Sequence, residues 1–103
     1  MGEYCAEYVD GFQRSPLDDG AQLQASAVCK HYLANELEYA SPAITRHTID
    51  VSILNQDLVD SYLPPFQSCV QKGKVSGLMC SYNSVRALPK SRAWRLLRES
   101  SKA

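Results

Sequence analysis

Apolar side chains near the N-terminus recur every three or four positions, which is the spacing of one helix face. Between Gly2 and Gln13 the apolar positions are Tyr4, Cys5, Tyr8, Val9 and Phe12. The pattern predicts an amphipathic helix that ends at Gly11 or shortly after it. A row of three aromatic rings could serve as a platform for a sugar. A stripe of this kind usually faces the core, however, and we expect it to do so here.

Two later runs of apolar residues are short and have the composition of strands. The first is residues 22–29, which follow turn-forming residues at positions 15–20, and the second is residues 75–81. A helical pattern lies between them, so the chain order is strand, helix, strand. That order is typical of a βαβ unit, whose two strands run parallel.

The connection between the two predicted strands has two parts. Residues 38–50 show no period and contain a proline, so a long surface loop is predicted. Ser52 is a suitable N-cap for the helix that follows, and Gly73 is a natural end for it. Pro64 and Pro65 should kink or interrupt that helix, because proline has no N–H to donate.

A last helix is predicted near the C-terminus, with Ser91 as its N-cap and Trp94 among its apolar residues. Five basic residues make this segment cationic: Lys90, Arg92, Arg95, Arg98 and Lys102. The simplest interpretation is a solvated helix face, and a nucleic-acid-binding patch is the alternative.

Composition limits the classes of function. The chain has 103 residues and a formal net charge of zero, with 45% hydrophobic and 21% charged residues. A neutral chain gives no electrostatic reason to expect a nucleic-acid or membrane partner. No apolar run approaches the roughly 18 residues of a membrane span. The N-terminus lacks the charged start and apolar core of a signal peptide, which leaves the localisation open.

The four cysteines do not form a metal-binding pattern. Cys5, Cys29, Cys69 and Cys80 include no Cys-x-x-Cys pair, and we predict no metal site and no cofactor. Free cysteines in apolar stretches act as small buried hydrophobes. If a disulfide forms, Cys29 and Cys80 are the pair to expect, because both lie near the ends of strands that should be neighbours.

Candidate chemistry is concentrated just after the first predicted strand. Five residues supply a cation, an imidazole, a phenol, an amide and a carboxylate: Lys30, His31, Tyr32, Asn35 and Glu36. Successive strand residues face opposite sides, so Lys30 and His31 can reach one ligand only where the strand ends and the chain bends. Parallel sheets and barrels bind ligands at that edge. A strand end with ordinary solvated side chains remains the alternative.

Two motifs together resemble glycoside hydrolase family three. They are Cys29-Lys30-His31-Tyr32 and Met79-Cys80-Ser81-Tyr82-Asn83. At this separation they are similar to the N-terminal barrel domain of that family, which includes β-glucosidases, β-xylosidases and related exo-acting enzymes. The resemblance covers nearly the whole chain. It implies an α/β fold in which residues 1–103 are a single fragment of a (β/α)8 TIM barrel, roughly helix-strand-helix-strand-helix with two parallel strands.

The resemblance also implies roles for four residues. Lys30 and His31 match the Lys-His pair that binds hydroxyls of the terminal sugar in that family. Arg46 resembles the arginine of an Arg-His loop that reaches the same sugar, and Tyr82 resembles the tyrosine of the Ser-Tyr-Asn stretch near the nucleophile. The chemistry fits, since a hydroxyl can accept from an ammonium and donate to an imidazole, and charged donors give the stronger bonds.

The catalytic carboxyl groups of the family have no match in the chain. A retaining glycosidase needs two carboxyl groups about 5 Å apart, and the family's aspartate nucleophile belongs to a Ser-Asp-Trp motif that this sequence does not contain. The resemblance gives no reason to assign that role to Glu36 or Glu38. Arg86-Ala87 stands where the family has Asn-Gly, so the turn there should differ.

The leading hypothesis is part of a retaining, exo-acting β-glycosidase that hydrolyses terminal β-linked glucose or xylose. The chain would contribute sugar-binding groups and would be inactive alone. A non-catalytic carbohydrate-binding remnant is one alternative, and a small interaction protein that uses the basic last helix is another. Because a slice of a barrel leaves strand edges unpaired, we expect the isolated chain to be marginally stable and to self-associate.

Overall fold

The computed structural model describes residues 1–15, 17 and 22–86 of the chain. The helix predicted from Ser91 onward lies outside the described residues. In chain order the elements are α1 (Gly2–Gln13), β1 (Val28–Tyr32), β2 (Tyr39–Ser41), β3 (Ile44–Thr45), β4 (Asp50–Val51), α2 (Asn55–Asp57), a π-helical turn (Leu58–Tyr62), α3 (Leu63–Gln71), β5 (Gly77–Cys80) and β6 (Ser84–Val85).

The predicted βαβ unit is present. Strand β1 pairs with β5 in parallel, with Val28 opposite Gly77 and Lys30 opposite Met79. The short strands β4 and β6 form a second parallel pair. Along the chain, β4 follows β1 and β6 follows β5. The described residues therefore form a mixed α/β arrangement whose helices lie between and before the parallel strands, as the sequence pattern indicates.

The first strand begins at Val28 rather than at residue 22, so its predicted start is wrong. The backbone before Val28 is bound by the end of α1 instead of by a neighbouring strand. The N–H of Gln24 donates to the carbonyl of Gln13 (2.9 Å), and the N–H of Ala27 donates to Oε1 of Gln13 (3.1 Å). Gln13 is only 2% exposed, and its amide satisfies backbone groups that a strand ladder would otherwise pair.

The predicted surface loop at residues 38–50 contains a small hairpin. Strands β2 and β3 pair antiparallel, with Tyr39 opposite Thr45. The Thr48 hydroxyl accepts from the Thr45 N–H (2.9 Å) and donates to the Ala43 carbonyl (2.9 Å), which closes the turn that follows β3. Strands this short leave no hydrophobic period in the sequence, and for that reason the pattern indicates only a loop.

The crossover helix is interrupted next to its prolines, as predicted. The N–H of Leu63 donates to the carbonyl of Leu58, a π-type bond, and the α-helix resumes at Leu63. Pro64 and Pro65 thus lie in the first turn of α3, directly after the π-helical turn. The predicted N-cap is wrong, because α2 begins after Leu54 and not after Ser52.

Small residues allow α1 and α3 to approach closely. A Cβ atom added at Gly73 would lie 2.9 Å from the carbonyl oxygen of Cys69 and 3.2 Å from Cβ of Val9. The buried residues of α1 are Ala6, Val9 and Gln13. Ala6 and Val9, which lie next to Gly73, have small side chains that permit this approach.

The predicted inward direction of the aromatic stripe on α1 is wrong. Tyr4, Tyr8 and Phe12 are 72%, 63% and 46% exposed. Their rings follow one another along the helix, with centroids 6.4 and 6.3 Å apart. Because the close contact with α3 leaves no room for aromatic rings, the stripe lies on the other side of α1.

The main apolar cluster lies beneath the end of β1. Its buried members are Tyr32, Leu33, Ala34, Ile53 and Leu58. Partly buried residues of the crossover helix and of β4 and β6 pack against them. No helix within the described residues is long and apolar enough to cross a membrane.

Two glycine variants test the packing of α1 on α3. Gly73→Ala should lower the free energy of unfolding by about 1–3 kcal/mol, because its methyl group would overlap backbone and Val9. Gly11→Ala is the matched control, since a Cβ there meets nothing within 4 Å. It should raise the stability by about 0.5–1 kcal/mol through helix propensity. Urea unfolding of both variants measures the difference, and equal effects would contradict the packing described.

Candidate functional site

The end of β1 carries a bulge that sets the direction of its polar side chains. Lys30 is opposite Met79 and Tyr32 is opposite Cys80, so His31 is an extra residue in the pairing with β5. A bulge bends the strand and changes the faces to which neighbouring side chains point. Lys30 is exposed, His31 is half-buried and Tyr32 is buried. The strict alternation expected of a regular strand is therefore broken at this point.

Lys30 and His31 line the same open cavity, of about 410 Å³, as the sequence argument requires for a shared ligand. Asn35 and Glu36 contribute to its wall from the chain after β1, and Tyr62 and Phe66 contribute from the crossover helix. The side-chain amide of Asn35 lies 3.3 Å from Nδ1 of His31. Within the described part of the chain, no carboxylate pairs with the Lys30 ammonium. The cavity thus presents an unpaired cation next to an imidazole.

Arg46 and Tyr82 also lie together, in a second group of side chains on the hairpin side. The guanidinium carbon of Arg46 is 5.8 Å from the centre of the Tyr82 ring. The His47 ring lies 4.4 Å from the Tyr82 ring, and Arg46 Nε donates to His47 Nε2 (3.3 Å). Arg46 is further held by Glu38 Oε2 at 3.1 Å. All four side chains are exposed.

The tripeptide 81–83 connects these two groups. Ser81 Oγ accepts from the Leu33 N–H (2.9 Å) and donates to the Leu33 carbonyl (2.9 Å). Asn83 Nδ2 donates to the same carbonyl at 3.0 Å. Tyr82 points the other way, toward Arg46. The sequence assigned a role to Tyr82 only, because Leu33, to which its two neighbours bind, is almost 50 residues away.

Tyr32 belongs to the apolar core and not to the polar group in which the sequence places it. It is 7% exposed, and its ring meets the Phe66 ring edge-on at a centroid distance of 5.0 Å. Its hydroxyl has no hydrogen-bond partner among the described residues. Burial raises the pKa of the Tyr32 phenol above its usual value, and the nearby Cys80 contributes to the rise. The phenol thus stays neutral at physiological pH.

The disulfide joins Cys29 to Cys69, so the expected pairing of Cys29 with Cys80 is wrong. In the parallel register, Cys29 lies opposite Leu78, whereas Cys80 lies opposite Tyr32. Cys29 instead meets α3, and Cys80 is a free, exposed cysteine. The bridge ties β1 to the crossover helix at the residue before Lys30. Among the residues that the structure describes, no three metal-ligating side chains come together.

Comparison with curated proteins gives a consistent set of relatives. A beta-xylosidase/alpha-L-arabinofuranosidase of Medicago sativa is 41% identical over 87 residues, which are 84% of this chain and 11% of the relative. A probable beta-D-xylosidase of Arabidopsis thaliana is 39% identical over 92 residues, 85% of this chain and 12% of the relative. A probable exo-1,4-beta-xylosidase of Aspergillus clavatus is 37% identical over 89 residues, 86% of this chain and 11% of the relative.

The chain belongs to glycoside hydrolase family three. The resemblance given by the Lys-His and Ser-Tyr-Asn motifs is thus confirmed by relatives from plants and a fungus. The chain spans about one ninth of the length of these curated relatives. No family model matches it.

Alkaline unfolding tests the burial of Tyr32 in this family-three chain. The unfolded phenol loses its proton near pH 10, whereas the folded one keeps it to higher pH because its pKa is raised. The corresponding stability is complete below about pH 10 and is lost as the pH rises through the folded pKa. Tyr32→Phe should therefore lose less stability than the wild type above about pH 10. Urea midpoints from pH 8 to 12 measure this.

Tyr39→Phe is the control for that experiment, because Tyr39 is 64% exposed. At neutral pH, Tyr32→Phe should gain about 1 kcal/mol, since it removes a buried hydroxyl that has no partner. An alkaline profile of Tyr32→Phe identical to that of the wild type would contradict the burial of this phenol.

Proposed function

We propose that this chain is the sugar-binding part of a retaining, exo-acting β-glycosidase that removes terminal β-linked xylose or glucose. The observation that carries the proposal is the similarity to β-xylosidases of plants and fungi over about 85% of the chain. The names of these relatives make xylose the first substrate to test. The groups at the end of β1 and on the hairpin are of the type that binds sugar hydroxyls.

The proposed setting is a (β/α)8 barrel in which β1 and β5 are neighbouring strands. Two features support it: the strands are parallel, and a helical crossover joins them. In such barrels the residues that act on the substrate lie at the carboxyl ends of the strands. Lys30, His31 and Tyr82 are at or just beyond the carboxyl ends of β1 and β5, which is the position that this proposal requires.

The proposal gives a chemical role to each of four residues: Lys30, His31, Arg46 and Tyr82. The Lys30 ammonium donates to a sugar hydroxyl, and His31 accepts from or donates to a neighbouring one. Arg46 supplies a second charged donor, oriented by Glu38 and by the Tyr82 ring. Charged donors make shorter and stronger hydrogen bonds than neutral ones, which suits recognition of an uncharged ligand rich in hydroxyls.

Hydrolysis is not assigned to residues of this chain. Glu36 is exposed and lines the cavity, and Glu38 is bound to Arg46. The proposal places the nucleophile and the acid/base in other parts of the enzyme, and we expect no hydrolysis of aryl β-xylosides by the chain alone.

Self-association of the isolated chain is part of the same proposal. Within the described residues, β1 and β5 pair only with each other, so each strand has an open edge. Open edges favour pairing with another chain. The exposed aromatic stripe of α1 adds apolar surface near the edge of β1, where both line one groove.

Titration of the ¹⁵N-labelled chain with methyl β-D-xylopyranoside tests the binding function. We expect a Kd of about 1 mM or weaker, with shifts at Lys30, His31, Arg46 and Tyr82. Lys30→Ala should weaken binding by about tenfold or more, because a hydrogen bond from a charged donor contributes about 1.5–3 kcal/mol. His31→Ala should also weaken it, since this change removes the imidazole that bonds to a neighbouring hydroxyl.

Lys72→Ala is the matched control for the loss of a lysine. Lys72 pairs with Glu3 and does not line the cavity, so this variant should bind as the wild type does. Unchanged affinity in both Lys30→Ala and His31→Ala would overturn the assignment, as would shifts confined to a different surface.

A further inference from the structure

We propose that Ser81 and Asn83 are positioning residues that fix the geometry of the Lys30–His31 segment at the end of β1. The inference rests on the proposed sugar-binding function. It adds two residues that do not contact the sugar in that proposal. It follows from the hydrogen bonds that join two motifs almost 50 residues apart.

Ser81 holds the peptide groups on both sides of Leu33. Its hydroxyl accepts from the Leu33 N–H and donates to the Leu33 carbonyl, both at 2.9 Å. Its own N–H donates to the Tyr32 carbonyl at 2.6 Å. The β1–β5 ladder thus continues past the last strand residue through a side chain. The chain that leaves His31 cannot rotate without breaking these bonds.

Asn83 adds a second bond to the same carbonyl. It is 9% exposed, and its Nδ2 donates to the Leu33 oxygen at 3.0 Å. Its Oδ1 has no partner among the described residues. A buried amide with an unsatisfied oxygen is unfavourable for stability alone. The bond from Nδ2 joins this side chain to the segment that follows His31.

The residue after Leu33 shows what the bonds maintain. Ala34 has a φ of 60° and is 4% exposed. A residue with a Cβ adopts this left-handed conformation only where the surrounding structure fixes it. The turn at Ala34 then brings Asn35 back to the strand end, where its amide lies 3.3 Å from Nδ1 of His31. Bonds at Leu33 thus determine where His31 and Asn35 meet.

The same tripeptide orients the second group of candidate sugar ligands. Tyr82 lies between Ser81 and Asn83 and is 69% exposed. With its two neighbours bound to Leu33, Tyr82 is directed outward against Arg46 and His47. One segment after β5 therefore sets both the Lys30–His31 geometry and the position of Tyr82.

The test compares three serine variants of the full chain. Ser81→Ala removes both bonds to Leu33, and Ser81→Thr keeps the hydroxyl. Ser76→Ala is the matched control, because it removes a hydroxyl that donates to Gln13 Oε1 at 2.7 Å, just before β5. The measurements are the affinity for methyl β-D-xylopyranoside and the ¹⁵N resonances of the His31 imidazole.

We expect Ser81→Ala to weaken binding by about tenfold and to shift the His31 resonances, because the segment loses its fixed geometry. Ser81→Thr should restore both properties. Ser76→Ala should leave both unchanged, even where it lowers the unfolding midpoint. If the two hydroxyls had only a structural role, both alanine variants would lose stability. The His31 resonances would then not distinguish one variant from the other.

Wild-type affinity and unchanged His31 resonances in Ser81→Ala would overturn the inference. If the wild-type chain binds no xyloside, the proposed function fails, and the His31 resonances alone decide whether Ser81 positions this segment. If Ser81→Ala does not fold, Asn83→Ala replaces it, since that variant keeps both Ser81 bonds. Shifted His31 resonances in Asn83→Ala would then support the inference, and unchanged ones would overturn it.

Discussion

The arrangement of the candidate site depends on the pairing of β1 with β5 and on its extension through Ser81. Backbone pairing alone would align the two strands and leave the residues after Tyr32 free to move. The Ser81 hydroxyl binds both polar groups of Leu33, and Asn83 binds its carbonyl again. Since Leu33 is also buried in the main apolar cluster, hydrogen bonding and packing fix the same residue. The polar side chains of the cavity extend from this anchored segment.

Packing on the other side of β1 explains why the aromatic stripe of α1 is exposed. The close contact of α1 with α3 uses Gly73, Ala6 and Val9, and the Cys29–Cys69 bridge holds β1 against the same helix. These contacts leave the aromatic rings of α1 on the surface, with part of β1 beside them. In the barrel proposed above, strands and helices outside residues 1–103 would cover such a surface.

Local patterns predicted α1, the crossover helix and the parallel strand pair, because each depends on residues close in sequence. The candidate sugar ligands came from the family resemblance. The N-cap of α2 and the β2–β3 hairpin are local misses, whereas the other errors concern contacts between distant residues. The start of β1 is set by the buried amide of Gln13, and the exposure of the Tyr4–Tyr8–Phe12 stripe is set by a helix some 60 residues later. The roles of Ser81 and Asn83 depend on Leu33, which is 48 and 50 residues away from them. Side chains that bind backbone at such separations leave no periodic signal. The family motif therefore indicates Tyr82, whereas the hydrogen bonds to Leu33 come from Ser81 and Asn83.

The most direct test of this account is hydrogen exchange at the Leu33 amide. Leu33 follows the last residue of β1, and its N–H donates to the Ser81 hydroxyl and not to a strand carbonyl. The account predicts that this amide exchanges as slowly as the amides of the β1–β5 ladder, because all of them open in one cooperative step. Exchange of Leu33 at the rate of an unstructured peptide, while the ladder stays protected, would show that the two motifs are not joined and would contradict the account.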